Sequence, residues 1–182
     1  MKQYFSARDK HCVKDVFHHA ESLVNGFYRS DGLGLQDYRY DVKTLEDLCD
    51  HEVNEKAFAQ LCRYVYTKKA ADHEKDDYFF AICLQDNRIL DAVNRGGSFV
   101  RLPSLLLYIA THELVHVARF GSGEVDFDAA MEERRREEEK VDIVTRQILY
   151  SGADIHMKVV LDCFDERYHI GDIFTQETRV IN

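Results

Sequence analysis

The 182-residue chain has one proline, no paired cysteines, no long apolar run and a deficit of basic charge. Each shortage excludes something. With 24 Lys and Arg against 33 Asp and Glu, the formal net charge is −9. Phosphate contacts need a basic footprint, so a nucleic-acid partner is not expected, nor is docking on anionic membranes. The five cysteines (Cys12, Cys49, Cys62, Cys83, Cys163) are odd in number and form no CxxC pair. A disulfide framework or a cysteine-based zinc site is therefore not expected, and the reading is reduced thiols in a cytoplasmic protein. The N-terminal MKQYFSARDKHC lacks the apolar stretch of a signal peptide. Apolar runs such as Leu105 to Ala110 fall far short of the ~20 residues of a membrane span. No repeat or low-complexity linker divides the chain.

What is present is a globular composition, 45% apolar and 31% charged, long enough for one domain with a sizeable core. Helical spacing of Val13, Val16, Phe17, Ala20, Leu23, Val24 and Phe27 predicts a helix over about 9–28. A second helical region is expected over about 43–69, broken near His51 to Glu55. Tyr78 to Leu84 is aromatic and β-favouring, Gln85-Asp86-Asn87 reads as a turn, and Ser98 to Leu102 is another strand candidate. Pro103 suits the first turn of a helix, where an N–H has no partner, and that helix should run to Phe120. A further helix is expected over about 127–150. The tail, 155–164 and 168–180, is ambiguous between helix and strand. The expected fold class is α+β, mainly helical with a small sheet. A single domain is expected, with a helical part over 1–75, a catalytic core over 76–152 and a tail over 153–182.

The Pro103–Phe120 segment contains His112-Glu113-Leu114-Val115-His116, an HExxH string. Histidines four apart project from one helical face and can grip a single ion. Glu113, rotated about 100° from His112, can reach a water on that ion without ligating it. A catalytic zinc needs three protein ligands and an open position, and such an ion brings a bound water to a pKa near ~7. From 109 to 118 the flanks are uncharged, which favours a built site over two unrelated histidines. A third histidine six residues on, as metzincins have, is excluded by Ser122, and Arg119 stands where they place glycine.

The third ligand is sought in MEERRREEEKVDIVTRQIL, residues 131–149. At ~100° per residue, Phe127, Met131, Val141 and Leu149 fall within ~60° of Glu138, whereas Glu137 and Glu139 point to either side. Glu138 is thus the favoured inward carboxylate, with Glu137 and Glu139 as alternatives. Asp142 lies one turn further on the same stripe, placed to orient a histidine ligand. Runs of charge are commonly a solvated face, and Arg134–Glu138 and Arg135–Glu139 also read as ordinary i,i+4 pairs.

HELVH followed by EEKVD resembles the gluzincins, zinc metallopeptidases with HExxH on one helix and ExxxD on the next. The spacing is most similar to ImmA/IrrE-type peptidases and to Ste24/HtpX-like ones, over about 98–149, with Val141 replacing the usual alanine and without membrane spans. A stand-alone minigluzincin is the closest description. The resemblance implies Zn2+ held by His112, His116 and Glu138, Glu113 as catalytic base, Asp142 supporting a ligand, and a peptide or protein substrate. It also implies that Ser98–Leu102 is the strand beside the active-site helix, to which an extended substrate could add. The oxyanion needs an extra donor, for which His156, Tyr168 and His169, with Arg167, are candidates. His11, His18 and His19 read as surface histidines. The rival expectation is an inactive module in which zinc staples two helices; a zinc hydrolase of non-peptide amides is a third.

Overall fold

The computed structural model describes residues 3–29, 34–35, 38–70, 73–164 and 178–180. The elements run α1 (Ala7–Tyr28), β1 (Arg39–Lys43), β2 (Ala59–Ala70), β3 (His73–Leu84), α2 (Asp86–Gly96), α3 (Leu102–Gly121), α4 (Met131–Tyr150), α5 (Ile155–Cys163) and β4 (Thr178–Val180). The class is α+β as expected: helices dominate, with one small sheet of order β1-β3-β2-β4. Strands β2 and β3 form an antiparallel hairpin; β1 joins β3, and β4 joins β2, in parallel.

Helix α1 begins with a capping box. Ser6 Oγ accepts the Asp9 N–H at 3.2 Å, and Asp9 Oδ2 accepts the Ser6 N–H at 2.9 Å. Such reciprocal bonds satisfy donors that the first turn leaves open. Its buried stripe is Val13, Phe17, Ala20, Val24 and Tyr28, while Phe27 turns to solvent.

The helix expected over 43–69 does not form, so residues 1–75 are not a helical part. The segment holds the end of β1, two single 3₁₀ turns (Leu45–Asp47 and Asp50–Glu52) and β2. The misreading has a physical cause. From Ala59 to Tyr64, β2 is buried on both faces: Ala59 and Leu61 enter the main core, while Cys62 and Tyr64 pack with Ala81 and Cys83 on the other side. A strand covered twice loses the polar alternation that reveals a half-buried one. Strand β3 is covered on both faces in the same way, with Phe80, Ile82 and Leu84 pointing into the main core and Ala81 and Cys83 into the smaller cluster. It is legible as a strand by its aromatic, β-favouring composition.

Gln85-Asp86-Asn87 is not a free turn but the entry to α2. Asp86 is fully buried and accepts the backbone N–H groups of Phe5 and Leu45, both at 2.9 Å. Ser98–Leu102 is not a strand either. Helix α2 ends on Gly97 at φ +55°, a left-handed conformation that favours glycine, and the chain turns directly into α3. The strand expected beside the active-site helix is therefore absent at that position. Pro103 lies in the first turn of α3.

Helix α3 is the centre of the molecule. It is buried along nearly its whole length from Leu105 to Arg119 and packs against α1, α2, α4 and α5. A helix enclosed on all sides carries apolar residues all round. One continuous hydrophobic cluster draws on α1, β2, β3 and α2 through α5. At the end of α3, a Cβ on Gly121 would lie 2.4 Å from the Tyr38 ring, so the close approach needs glycine. α4 starts at Met131, not near 127. Phe127 is buried outside the helix against Phe80 and Phe120. Met131, expected on the inner stripe, is 85% exposed. In the tail, 155–163 is helical, capped by Asp154 Oδ1 accepting the Met157 N–H at 2.8 Å.

A candidate metal centre between α3 and α4

His112 and His116 lie one turn apart on the face of α3 that meets α4, with ring centroids 4.9 Å apart. Their Nε2 atoms converge on one carboxylate oxygen: His116 Nε2 is 3.3 Å and His112 Nε2 is 3.5 Å from Glu138 Oε2. The three residues offer ligand atoms all within 4.8 Å of one another, a spread that a single cation can bridge. Both histidines are buried, and the Glu138 side chain is 24% exposed, so Glu138 is the member of the group that solvent reaches most.

The far side of His112 is also held. Its Nδ1 faces Asp142 Oδ1 at 3.2 Å, which leaves Nε2 directed at the group's centre. The Tyr108 hydroxyl donates to the same Asp142 oxygen at 3.3 Å. Tyr108 lies close to His112, with centroids 6.1 Å apart, and stacks on Phe164 at 4.3 Å. His116 is braced by Phe120, nearly parallel to it at 5.5 Å and 7°.

Of three consecutive acids, only Glu138 turns to the histidines. Glu139 is exposed, 3.9 Å from Arg135. Glu137, expected to point to the side, is as buried as the two histidines. It forms a bidentate pair with Arg119: Nε donates to Oε1 at 2.5 Å and Nη2 to Oε2 at 2.8 Å. Arg119 Nη1 also donates to Glu124. This clamp joins α3 to α4 beside the candidate ligands and fixes the rotation of α4 that presents Glu138. The sequence carries one signal of it, an arginine closing a helix whose other charged residue is Glu113. The expected Arg134–Glu138 pair gives way to a bond from Arg134 Nε to the Ala129 carbonyl at 2.7 Å.

Glu113 is 2% exposed, and its Oε2 has no hydrogen-bond partner among the described residues. Burial raises its pKa; the two imidazoles pull it down in part, and the Glu138 charge adds to the rise. Glu138 itself is driven down to about 2, because His116 and His112 outweigh the burial that would raise it. His112 moves the other way. Burial alone would lower it, yet hydrogen bonds to Asp142 and Glu138 and the Glu113 charge raise it to about 10. The pocket thus demands positive charge at its centre. A proton on His112 meets that demand in part, and a divalent cation on the two Nε2 atoms and Glu138 would meet it more fully. Two imidazoles and a carboxylate are a donor set that suits zinc.

Among the candidate oxyanion donors, His156 is engaged elsewhere, its Nδ1 3.1 Å from the Phe99 carbonyl. Tyr168, His169 and Arg167 lie outside the described residues. No helix among the described residues is long and apolar enough to cross a membrane. No family model, curated protein or solved structure matches the chain.

Proposed function

We propose that the chain is a zinc-dependent metallopeptidase of gluzincin type, with His112, His116 and Glu138 as ligands and Glu113 as general base. The observation that carries this reading is the meeting of both Nε2 atoms at Glu138 Oε2, with a buried Glu113 oxygen on the same helix that has no partner among the described residues. A buried carboxylate oxygen without a partner is costly, and in a hydrolase its partner is the attacking water. When bound, zinc supplies Lewis acidity, polarising the scissile carbonyl and lowering the pKa of water to about 7. Glu113 takes a proton from the water as it attacks the carbonyl carbon, then delivers it to the departing amine. Its raised pKa suits both halves of that exchange. Asp142 holds the His112 ring with Nε2 turned toward Glu138 and His116, where the ion would be held.

The substrate class is a peptide or protein, following the HELVH…EEKVD resemblance. A cytoplasmic setting fits five cysteines of which none forms a disulfide. Glu113→Gln tests the assignment: it should retain zinc and lower turnover of a cleaved peptide by a factor of about 10²–10⁴. Full activity in that variant would remove Glu113 from the role. One observation favours the rival reading, a zinc-stapled module without catalysis: His112, Glu113 and His116 are all deeply buried. A zinc coordination sphere closed by a fourth protein ligand would decide for it, since a hydrolase keeps that position open.

A further inference from the structure

We infer that Tyr108 is a positioning residue of the metal centre, its hydroxyl fixing Asp142 so that Asp142 can fix His112; this rests on the metal reading proposed above. Tyr108, His112 and His116 follow one another at four-residue intervals along α3, so they share one face. The first supplies a hydroxyl and the other two supply imidazoles. Tyr108 Oη and His112 Nδ1 both address Asp142 Oδ1, at 3.3 and 3.2 Å. Asp142 Oδ1 is therefore met by two groups of α3, one turn apart: a hydrogen bond from Tyr108 and an ion-pair contact with His112 Nδ1.

The Asp142 side chain is 34% exposed, and an aspartate this accessible has solvent as an alternative partner. Without the Tyr108 donor, its rotamer would lean, among the described residues, on the imidazole it is meant to orient. Tyr108 removes that circularity. Its ring is buried 4.3 Å from Phe164 and cannot swing away, and burial keeps the phenol protonated and thus a donor. The hydroxyl is therefore a fixed point from which the Asp142 carboxylate, then the His112 ring, take their orientation. Outer hydrogen bonds of this kind fix ligand geometry and commonly change metal affinity by about 10–100-fold when removed.

The test is zinc affinity, measured by chelator competition, in wild type, Tyr108→Phe, Asp142→Asn and the double variant. Tyr108→Phe keeps the ring and its stacking, so folding is retained. The expected loss is about 10-fold for Tyr108→Phe and 10–100-fold for Asp142→Asn. The double variant should bind no more weakly than Asp142→Asn alone, because the hydroxyl acts only through that carboxylate. Cobalt substitution gives an independent readout: the d–d absorption bands of Tyr108→Phe should shift, which a purely packing role would not cause. Wild-type affinity and an unchanged cobalt spectrum in Tyr108→Phe would overturn the inference while leaving the metal reading intact. Losses that add in the double variant would overturn it equally. Failure of wild type to bind zinc would remove the parent reading, and this one with it.

Discussion

Replacing Glu137 by leucine removes one partner of a buried ion pair and leaves the other in place. Arg119 and Glu137 are both 4% exposed and joined by two hydrogen bonds. Breaking such a pair from one side costs about 3–5 kcal/mol, because a charge remains buried without compensation. Here the penalty is tempered. Arg119 keeps its bond to the half-exposed Glu124, and a hydrogen bond to a charged group is worth about 1.5–3 kcal/mol. The net expectation for Glu137→Leu is a loss of about 2–4 kcal/mol. Urea unfolding reads it as a lower midpoint at unchanged slope. The companion Arg119→Met/Glu137→Leu should recover most of the loss, since apolar groups of similar volume often replace a buried pair at little cost. Zinc affinity should fall in Glu137→Leu, because the clamp sets the rotation of α4 that presents the neighbouring Glu138. A single variant within about 0.5 kcal/mol of wild type would refute the reasoning, as would a double variant no better than the single.

Two further outcomes follow from the same geometry. In metal-free protein, His112 has a folded pKa of about 10, above its ordinary 6.5. Its contribution to stability is therefore full below 6.5 and is lost as pH rises through 10; Glu138, driven down to about 2, contributes above its ordinary 4.5 and loses this only as pH falls toward 2. Urea midpoints of chelated protein should thus fall between about pH 6.5 and about pH 10, whereas zinc-loaded protein should not show that fall; parallel profiles would contradict the ligand role of His112. Gly121→Ala should destabilise by about 1–3 kcal/mol, because the new Cβ meets the Tyr38 ring, and a thermal melt at or above that of wild type would show that Tyr38 yields.

Much of this molecule can be read from the sequence where side-chain period and burial agree. α1 announces itself by the spacing of its apolar residues, α3 by the proline in its first turn, and β3 by its aromatic, β-favouring run. Glu138 and Asp142 follow from rotation along α4, even though that helix starts at Met131 and its first residue faces solvent. The failures share a cause, in that tertiary partners override local pattern. β2 looks helical because both its faces are covered. Gln85-Asp86-Asn87 looks like a turn because Asp86 spends its carboxylate on backbone groups of residues 5 and 45. Ser98–Leu102 looks like a strand, but Gly97 and the first turn of α3 take the space it would need. Glu137 is misplaced because its partner lies 18 residues away on another helix. Tyr108 is silent in the sequence because its role exists only once Asp142 stands beside it.

The most direct test of the account is the metal itself. Wild-type protein stripped of metal and titrated with zinc should take up about one ion per chain, with an X-ray absorption signature of two imidazole nitrogens and a carboxylate oxygen. Glu138→Ala should lose that stoichiometric site while remaining folded. Undiminished zinc in Glu138→Ala, or no zinc in wild type, would contradict the centre built here from α3 and α4.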